Sequence, residues 1–223
     1  MQKLLTPLQR KALLIFQKSK LNTDFYWTGG TLLSYHYLQH RDSEDLDFFS
    51  DQLFFDDYMA SEFLIIKKIL NAQKMHERKH LNRNQLVFEC GKQSLKMEFV
   101  YFPFPPLAKH IRLPEFGIAA DSLKDIAVNK LHASFQRSEP KDIFDLYWII
   151  KKGHFKFLDL FKWFEKKFGS TIDPVTYAAK IISDIPLLDK LRPLIRNKKF
   201  FQPELMKSFF ETEALTYLKK KIK

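Results

Sequence analysis

Hydrophobic and polar positions follow different periodicities in the two parts of this chain. Strand-like segments are predicted near 25–27, 45–49, 75–81, 85–90 and 95–101, with hairpin turns at 82–84 and 91–92. Helical periodicity is predicted near 7–20, 32–39, 57–71, 122–136, 140–152, 157–168, 174–182 and 203–219. The proline-rich stretch 102–106 is a connector, because proline lacks a backbone donor and restricts its predecessor. We therefore predict an α+β fold, with a mixed sheet and flanking helices in residues 1–120 and a helical region in 121–223.

Two aspartates in a predicted strand are the first candidates for chemistry. Asp45 and Asp47 are two positions apart, so both side chains point to one face of the strand. Glu98 lies in a later strand between apolar neighbours, where an acid needs a partner or a metal. Three carboxylates from two strands suit Mg²⁺, or Mn²⁺, and two such ions would support a displacement at phosphorus. The alternative interpretation of the aspartate pair is a solvated acidic turn.

Glycines lie one short helix before this pair. Gly29, Gly30 and Thr31 follow a strand and open a helix, and glycine allows a backbone to approach a phosphate closely. Arg41 ends that helix, and its guanidinium is suited either to a bidentate phosphate contact or to capping the helix C-terminus. A simple turn is the alternative for the glycines, and the residues alone do not decide between these interpretations.

A second group of charged residues is predicted on the later helices. Lys130 falls inside an apolar stripe, so it either extends to the edge of the stripe or points at an anionic site. Asp142 and Asp145 are three positions apart and share one helix face. Asp142 is in a first helical turn, where the helix dipole favours an acid. Asp145 lies further along the helix among apolar residues, so the dipole does not explain its position.

These two segments together resemble the AbiEii/AbiGii-type toxins, nucleotidyltransferase-like proteins of abortive-infection and type IV-like toxin–antitoxin systems. The first matching segment is Gly29-Gly30-Thr31 followed by His40-Arg41-Asp42-Ser43-Glu44-Asp45-Leu46-Asp47-Phe48-Phe49, and the second is Asp125-Ile126-Ala127, Lys130, Arg137 and Lys141-Asp142-Ile143-Phe144-Asp145-Leu146. The resemblance spans residues 25–150. It departs from the family where Glu98 replaces the usual Asp and Lys141 replaces an Arg.

The resemblance implies a fold, a reaction and a set of site residues. It implies a polymerase β-like nucleotidyltransferase core in 1–120, completed by the helical region, with Asp45 and Asp47 as metal ligands and Glu98 as the third. It further implies that Lys130 contacts a nucleoside triphosphate and that Asp142 assists the reacting hydroxyl or orients the site. The residues expected to contact the nucleotide are Gly29, Gly30, Thr31, Arg41, Lys130 and Asp145. A cognate antitoxin is the implied protein partner.

Charge and composition narrow the class of partner. The chain has 45% hydrophobic residues, one cysteine and a net charge of +11, of which residues 151–223 carry +9. A basic region favours a polyanionic partner such as RNA, although lysine-rich surfaces also serve solubility. The single Cys90 cannot form an internal disulfide, and neither a signal peptide nor a membrane-spanning run is evident, so we expect a cytoplasmic protein without a membrane partner.

The leading functional hypothesis is an Mg²⁺-dependent enzyme that transfers a nucleoside monophosphate from a triphosphate to an RNA, with tRNA as the expected acceptor. One alternative is an antibiotic-type nucleotidyltransferase with a small-molecule substrate, but its cationic substrate would be repelled by the basic region. The other is a nucleotide- or RNA-binding module without turnover. The basic region 151–223 is expected to bind the acceptor, through Lys162, Lys166, Lys167, Arg192, Arg196, Lys198 and Lys199.

Overall fold

A computed structural model describes residues 4–222 of the chain. The α-helices are α1 Pro7–Lys18, α2 Leu21–Asp24, α3 Gly29–Leu32, α4 Asp56–Leu70, α5 Leu123–Gln136, α6 Pro140–Gly153, α7 Phe157–Phe168, α8 Pro174–Asp184 and α9 Pro203–Lys221. A π-helix at Leu33–Leu38 continues α3, and 3₁₀ helices occupy Ile185–Leu194 and Lys198–Phe200. The strands are β1 Tyr26–Thr28, β2 Leu46–Ser50, β3 Lys74–His80, β4 Arg83–Cys90, β5 Gln93–Tyr101, β6 Ile111–Leu113 and β7 Ile118–Ala120.

The strands form one mixed sheet in the order β3-β4-β5-β2-β1-β7-β6. β2 and β5 at its centre are parallel, as are β1 and β7, whereas the remaining neighbouring pairs are antiparallel. One face of the sheet packs on an aromatic core. Phe48 of β2 stacks on Phe16 of α1 at 4.1 Å between ring centroids, and Phe99 of β5 contacts Phe63 of α4 at 5.1 Å. Residues of odd number in β2 therefore point to the opposite face.

The helices after Ser122 pack on one another. α5 packs against α6, α7 and α8, and α9 packs against α8. Their core is aromatic: Tyr177 is fully buried and contacts Phe157 and Phe161 at centroid distances of 6.2 and 5.5 Å. The apolar stripes that predicted these helices therefore form this core.

The predicted fold class is confirmed, and most of the predicted elements are present. Some elements differ from the prediction. The strands β6 and β7 have three residues each, too short for a periodicity to develop. The predicted helix near 32–39 is the short α3 followed by a π-helix, and the predicted turn at 82–84 lies instead at Leu81-Asn82, so that Arg83 and Asn84 belong to β4.

The chain divides into two compact units. The first, called the sheet unit below, contains the residues up to Gln39, Ser43–Pro105 and Lys109–Ser122. The second, called the helical unit, contains His40–Asp42, Pro106–Ala108 and the chain from Leu123 onward. In the described residues, no helix combines the length and the apolar character that crossing a membrane requires.

Candidate active site

The carboxylates predicted in strands lie on the face of the sheet opposite the aromatic core. Asp47 of β2 is in register with Glu98 of the parallel strand β5 and with Thr28 of β1, so all three occupy one row across the sheet. Asp45 immediately precedes β2, two residues before Asp47. The Glu98 side chain therefore lies on the same face of the sheet as Asp47.

A lysine bridges two of these carboxylates. The Lys96 ammonium lies 3.0 Å from Asp45 Oδ2 and 2.7 Å from Glu98 Oε1. Burial acts to lower the pKa of Lys96, but its hydrogen bonds to Glu98 and Asp45 outweigh burial and raise it. Glu98 also accepts a hydrogen bond from Gln85 Nε2 at 2.8 Å and faces Arg83 at 3.5 Å. Burial raises the pKa of Glu98, yet these cationic and donor neighbours lower it overall, so Glu98 is held ionised.

Gly29 is required by the position of Asp47. Gly29 has φ +80°, a conformation that favours glycine, and a Cβ built on it would lie 1.9 Å from Asp47 Oδ2. Gly30 and Thr31 are buried, and the Thr31 hydroxyl donates a hydrogen bond to the backbone carbonyl of Asp45. The glycine turn thus lies directly against Asp47 and holds the segment that carries Asp45.

The chemistry of this face suits a hard cation. Carboxylate oxygens are the ligands that Mg²⁺ and Mn²⁺ prefer, and the space between Asp45 and Glu98 already holds a cationic ammonium. Within residues 4–222, however, no three acidic, histidine or cysteine side chains are arranged as a metal-binding group. The convergence of Asp45, Asp47 and Glu98 on one ion therefore stays a prediction, and it requires Lys96 to give up its contacts.

The helical unit holds the second predicted group, which is a buried network of ion pairs. The Asp145 carboxylate is fully buried and accepts from Arg41 Nε at 2.6 Å, Arg41 Nη2 at 2.7 Å and His40 Nε2 at 2.7 Å. The Lys130 ammonium lies 2.7 Å from both Asp145 Oδ2 and Asp142 Oδ1. Asp142 also accepts from Arg137 Nε at 2.8 Å.

The ionisation states in this network support one another. Burial acts to raise the pKa of Asp145, but the charges of Arg41 and Lys130 and the hydrogen bonds to it hold that pKa well below its usual range. The pKa of Asp142 is likewise lowered against burial by Lys130 and Arg137. The two aspartates in turn raise the pKa of Lys130 against its own burial. Burial lowers the pKa of His40, so its ring is neutral.

This geometry bears on the predicted roles of Arg41, Lys130 and Asp145. The guanidinium fork of Arg41 is bidentate on Asp145 and its Nη1 reaches the Asp42 carbonyl at 2.8 Å, so the side chain neither caps a helix nor faces solvent. Lys130 is buried and does not extend to the edge of its stripe. Asp145 has its oxygens satisfied by three cationic or donor side chains. Any phosphate contact by Arg41 or Lys130 therefore competes with these pairs.

Sequence reasoning missed two polar residues of the sheet unit. Lys96 lies two positions before Glu98 in the same strand, so the alternation of a strand would have placed it beside the carboxylates. Asp121 is buried, accepts from Thr28 Oγ1 at 2.7 Å and donates its backbone N–H to Trp27 at 2.9 Å. It follows β7, a strand too short to be recognised in the sequence.

Comparison with known families assigns this chain to the class of the nucleotidyltransferases. The chain belongs to the family described as nucleotidyl transferase AbiEii toxin, type IV toxin–antitoxin system, whose profile matches residues 11–212. An uncharacterized protein of Aquifex aeolicus (strain VF5) is 31% identical over 161 residues, which cover 72% of this chain and 74% of that protein. Members of such families generally use a nucleoside triphosphate and a divalent metal.

Two solved structures from Helicobacter pylori share the fold. JHP933 superposes with a TM-score of 0.62 at 20% identity, covering 96% of this chain and 93% of that one. A second protein, described as a candidate nucleotidyltransferase, gives a TM-score of 0.61 at 20% identity and covers 94% of each chain. At this level of identity the likeness shows the architecture, whereas the family is shown by the profile.

Proposed function

We propose that this protein is a metal-dependent nucleotidyltransferase that moves a nucleoside monophosphate from a nucleoside triphosphate to an RNA, with tRNA as the acceptor. We also propose that it acts in the cytoplasm as the toxin of a toxin–antitoxin or abortive-infection system, with an antitoxin protein as its partner. The observation that carries the proposal is the row of carboxylates beside the Gly29 turn, with a cation already held between Asp45 and Glu98.

In the proposed reaction an acceptor hydroxyl oxygen attacks the α-phosphorus of the triphosphate. A new phosphorus–oxygen bond forms, the bond to the pyrophosphate oxygen breaks, and the hydroxyl proton passes to solvent. Bound Mg²⁺ or Mn²⁺ would neutralise the charge that grows on the phosphate oxygens. The residues that would hold it are Asp45 and Asp47, with Glu98 as the third ligand, and Gly29 leaves the space that Asp47 needs.

The helical unit supplies the proposed contacts of Lys130 and Asp142. Lys130 is the candidate for the triphosphate, because its ammonium is kept charged by two aspartates. Asp142 is held ionised by Lys130 and Arg137, and a carboxylate with a lowered pKa is a weak base. Its proposed role is therefore to keep Lys130 in place, rather than to remove a proton.

The acceptor was predicted to bind the basic region 151–223. Two lysines of this region, Lys162 and Lys166, are exposed on α7 and are therefore accessible to a polyanion. Lys167 is a correction: it is buried, and its ammonium pairs with Asp125 at 2.7 Å, so it contributes nothing to a basic surface. Phe161 and Phe164 are also buried, and so they serve the core and not base stacking.

The test is to incubate the protein with each α-labelled nucleoside triphosphate, MgCl₂ and total RNA. We expect label in RNA of tRNA size, abolished by a chelator and by Asp47→Asn. Label in protein would replace the acceptor by a hydroxyl side chain. Label in neither fraction, with an intact fold, would contradict transfer to a macromolecule and favour the small-molecule or the binding-only alternative.

A further inference from the structure

Strand β3 presents two chemically different faces. Lys74, His76, Arg78 and His80 occupy alternate positions, and all four are exposed. Because side chains alternate across a strand, these four residues share one face. The intervening residues Met75, Glu77 and Lys79 point to the other face, and there Lys79 faces Glu77 at 3.8 Å. All residues with cationic or imidazole side chains but Lys79 are thus on a single face of this strand.

The face with Lys74, His76, Arg78 and His80 is the face that carries the candidate catalytic carboxylates. Arg78 is in register with Gln85, Gln85 with Glu98, and Glu98 with Asp47, so one row crosses the sheet from β3 to β2. The neighbouring row runs from His76 through Val87 to Lys96. Since all of these strands belong to one sheet, the hairpin of β3 and β4 extends the catalytic face in a fixed geometry.

A groove lies over the hairpin. It has a volume of about 640 Å³ and is lined by Met75, His76, Glu77, Arg78, Gln85 and Val87. Arg83 of β4 adds a further cation on this face, although it faces Glu98 at 3.5 Å. Besides the carboxylates of the central strands, Glu89 of β4 opposes these charges, and it lies 2.9 Å from His76 Nε2. The hairpin face around this groove therefore combines an excess of positive charge with two imidazole rings.

We propose that this hairpin face, defined by Lys74, His76, Arg78, His80 and Arg83, binds the phosphate backbone of a single-stranded RNA end and leads that end to Asp47 and Glu98. The proposal rests on the proposed function, because it assigns the path of the acceptor at the same site. It differs from the earlier prediction in placing the nearest acceptor contacts on the sheet unit and not on residues 151–223.

The spacing of the charges favours an RNA strand over a smaller ligand. Alternate residues of a strand advance by about 6.8 Å, so the four side chains extend over about 20 Å. A triphosphate would contact only one end of this line of side chains along β3, whereas an extended chain of phosphates would contact all of it. Imidazole rings can also stack on unpaired bases. An acidic protein would also be attracted by these charges, but its binding would not require the row of residues that connects the hairpin to Asp47.

The experiment compares two charge reversals on one strand. Arg78→Glu changes the proposed face, and Lys79→Glu makes an equivalent change on the opposite face one residue away. Binding of a short fluorescein-labelled single-stranded RNA is measured by anisotropy over a range of salt concentrations, and triphosphate binding is measured in parallel. Arg78→Gln and Lys74→Gln repeat the test without reversed charge, and thermal unfolding shows whether each variant is folded.

We expect Arg78→Glu to weaken RNA binding at least about tenfold, because repulsion replaces attraction. Arg78→Gln should reduce the slope of log affinity against log salt by about 0.7, the value for one lost phosphate contact on a single strand. Lys79→Glu should leave the RNA affinity and its salt dependence unchanged, and no variant should alter triphosphate binding. Lys198→Glu/Lys199→Glu provides the comparison with the helical unit.

The outcomes separate this inference from the proposed function. If the wild-type protein labels RNA but Arg78→Glu binds and labels it as well as Lys79→Glu does, the hairpin is not the acceptor path and the proposed function stands. If only Lys198→Glu/Lys199→Glu loses RNA binding, the acceptor binds the helical unit and not the hairpin, and the proposed function again stands. If the wild-type protein neither binds nor labels RNA, both the function and the path are overturned.

Discussion

The two charged clusters of this protein use the same residue types in different surroundings. In the sheet unit, Asp45 and Lys96 are each about 30% exposed at the side chain, and their contact is 3.0 Å. In the helical unit, Asp145 is 0% exposed and is surrounded by Arg41, His40 and Lys130 at 2.6–2.7 Å. In the first cluster two carboxylates share the Lys96 ammonium, whereas in the second a single carboxylate is contacted by two cations and a neutral imidazole.

This difference in burial predicts different contributions of the two clusters to stability. The Asp45–Lys96 pair is partly exposed and therefore partly screened by water, so exchanging its cation costs less than it would in a fully buried pair. A buried pair cannot lose one partner without leaving an uncompensated charge, which typically costs 3–5 kcal/mol. We therefore expect substitutions in the sheet cluster to change activity more than stability, and substitutions around Asp145 to do the opposite.

Asp47→Asn should have the largest effect on activity. It removes a charge from the proposed metal site with almost no change in volume. Loss of several kcal/mol of transition-state stabilisation corresponds to a rate at least about a thousandfold lower. Stability should change by less than about 1 kcal/mol, which urea unfolding would measure. Wild-type turnover in a folded variant would refute the metal mechanism.

Gly29→Ala tests whether the sheet cluster depends on the glycine turn. The new Cβ would clash with Asp47 Oδ2 and displace that carboxylate, so nucleotide transfer should be lost together with some stability. Gly91→Ala is the matched control. Gly91 has φ +65° and nothing within 4 Å of its Cβ position, so it has the same backbone strain, about 1–2 kcal/mol, without the clash. Equal activity in both variants would show that Asp47 tolerates displacement.

Asp145→Asn should have the largest effect on stability. It leaves Arg41 with a neutral partner in a buried site and removes one of the two carboxylates that contact Lys130, so the free energy of unfolding should fall by about 3–5 kcal/mol. Asp159→Asn is the control, because Asp159 pairs with the exposed Lys162 at 3.3 Å and such pairs contribute about 0–1 kcal/mol. Similar midpoints in urea for the two variants would mean that the buried network is not structural.

Lys96→Gln should make the sheet cluster more responsive to metal. Without the bridging ammonium, Asp45 and Glu98 repel each other, and stability should fall by about 1 kcal/mol in the absence of metal. Added MgCl₂ should then raise the melting temperature of this variant more than that of the wild-type protein. Lys92→Gln, at an exposed turn position, should respond as the wild-type protein does. An unchanged response of Lys96→Gln would argue against a cation between these carboxylates.

His40 should give the helical unit a modest sensitivity to acid. Its Nε2 donates to Asp145, and its buried Nδ1 finds no hydrogen-bond partner among the described residues, so a second proton has no acceptor. Burial lowers the pKa of His40, while the unfolded ring protonates near pH 6.5. Stability should therefore fall as the pH drops below about 6.5, by at most about 1.4 kcal/mol per pH unit for this group.

The measurement is the unfolding free energy of the wild-type protein and of His40→Gln between pH 7 and pH 5. The substitution should remove part of the dependence, although not all of it, because burial also lowers the pKa of His132. Identical slopes for the two proteins would show that His40 is not the sensor.

Local patterns predicted much of the fold. The helices with strong apolar stripes, such as α6 and α7, and the long strands β4 and β5 were recognisable because each repeats its period several times. The strands β6 and β7 were not, since three residues carry no period. The π-helix at Leu33–Leu38 was also beyond reach, because its sequence reads as an ordinary helix.

The sequence by itself determined which residues carry charge and which face each one shares within its own element. It therefore placed Asp45 with Asp47, and Asp142 with Asp145, because the periods of strand and helix are local properties. Only the tertiary structure decided the partners. Strand register put Glu98 beside Asp47 and Lys96 between Asp45 and Glu98, and helix packing directed Arg41 onto Asp145 across more than a hundred residues of chain. Such pairings depend on contacts distant in sequence, which no local pattern encodes.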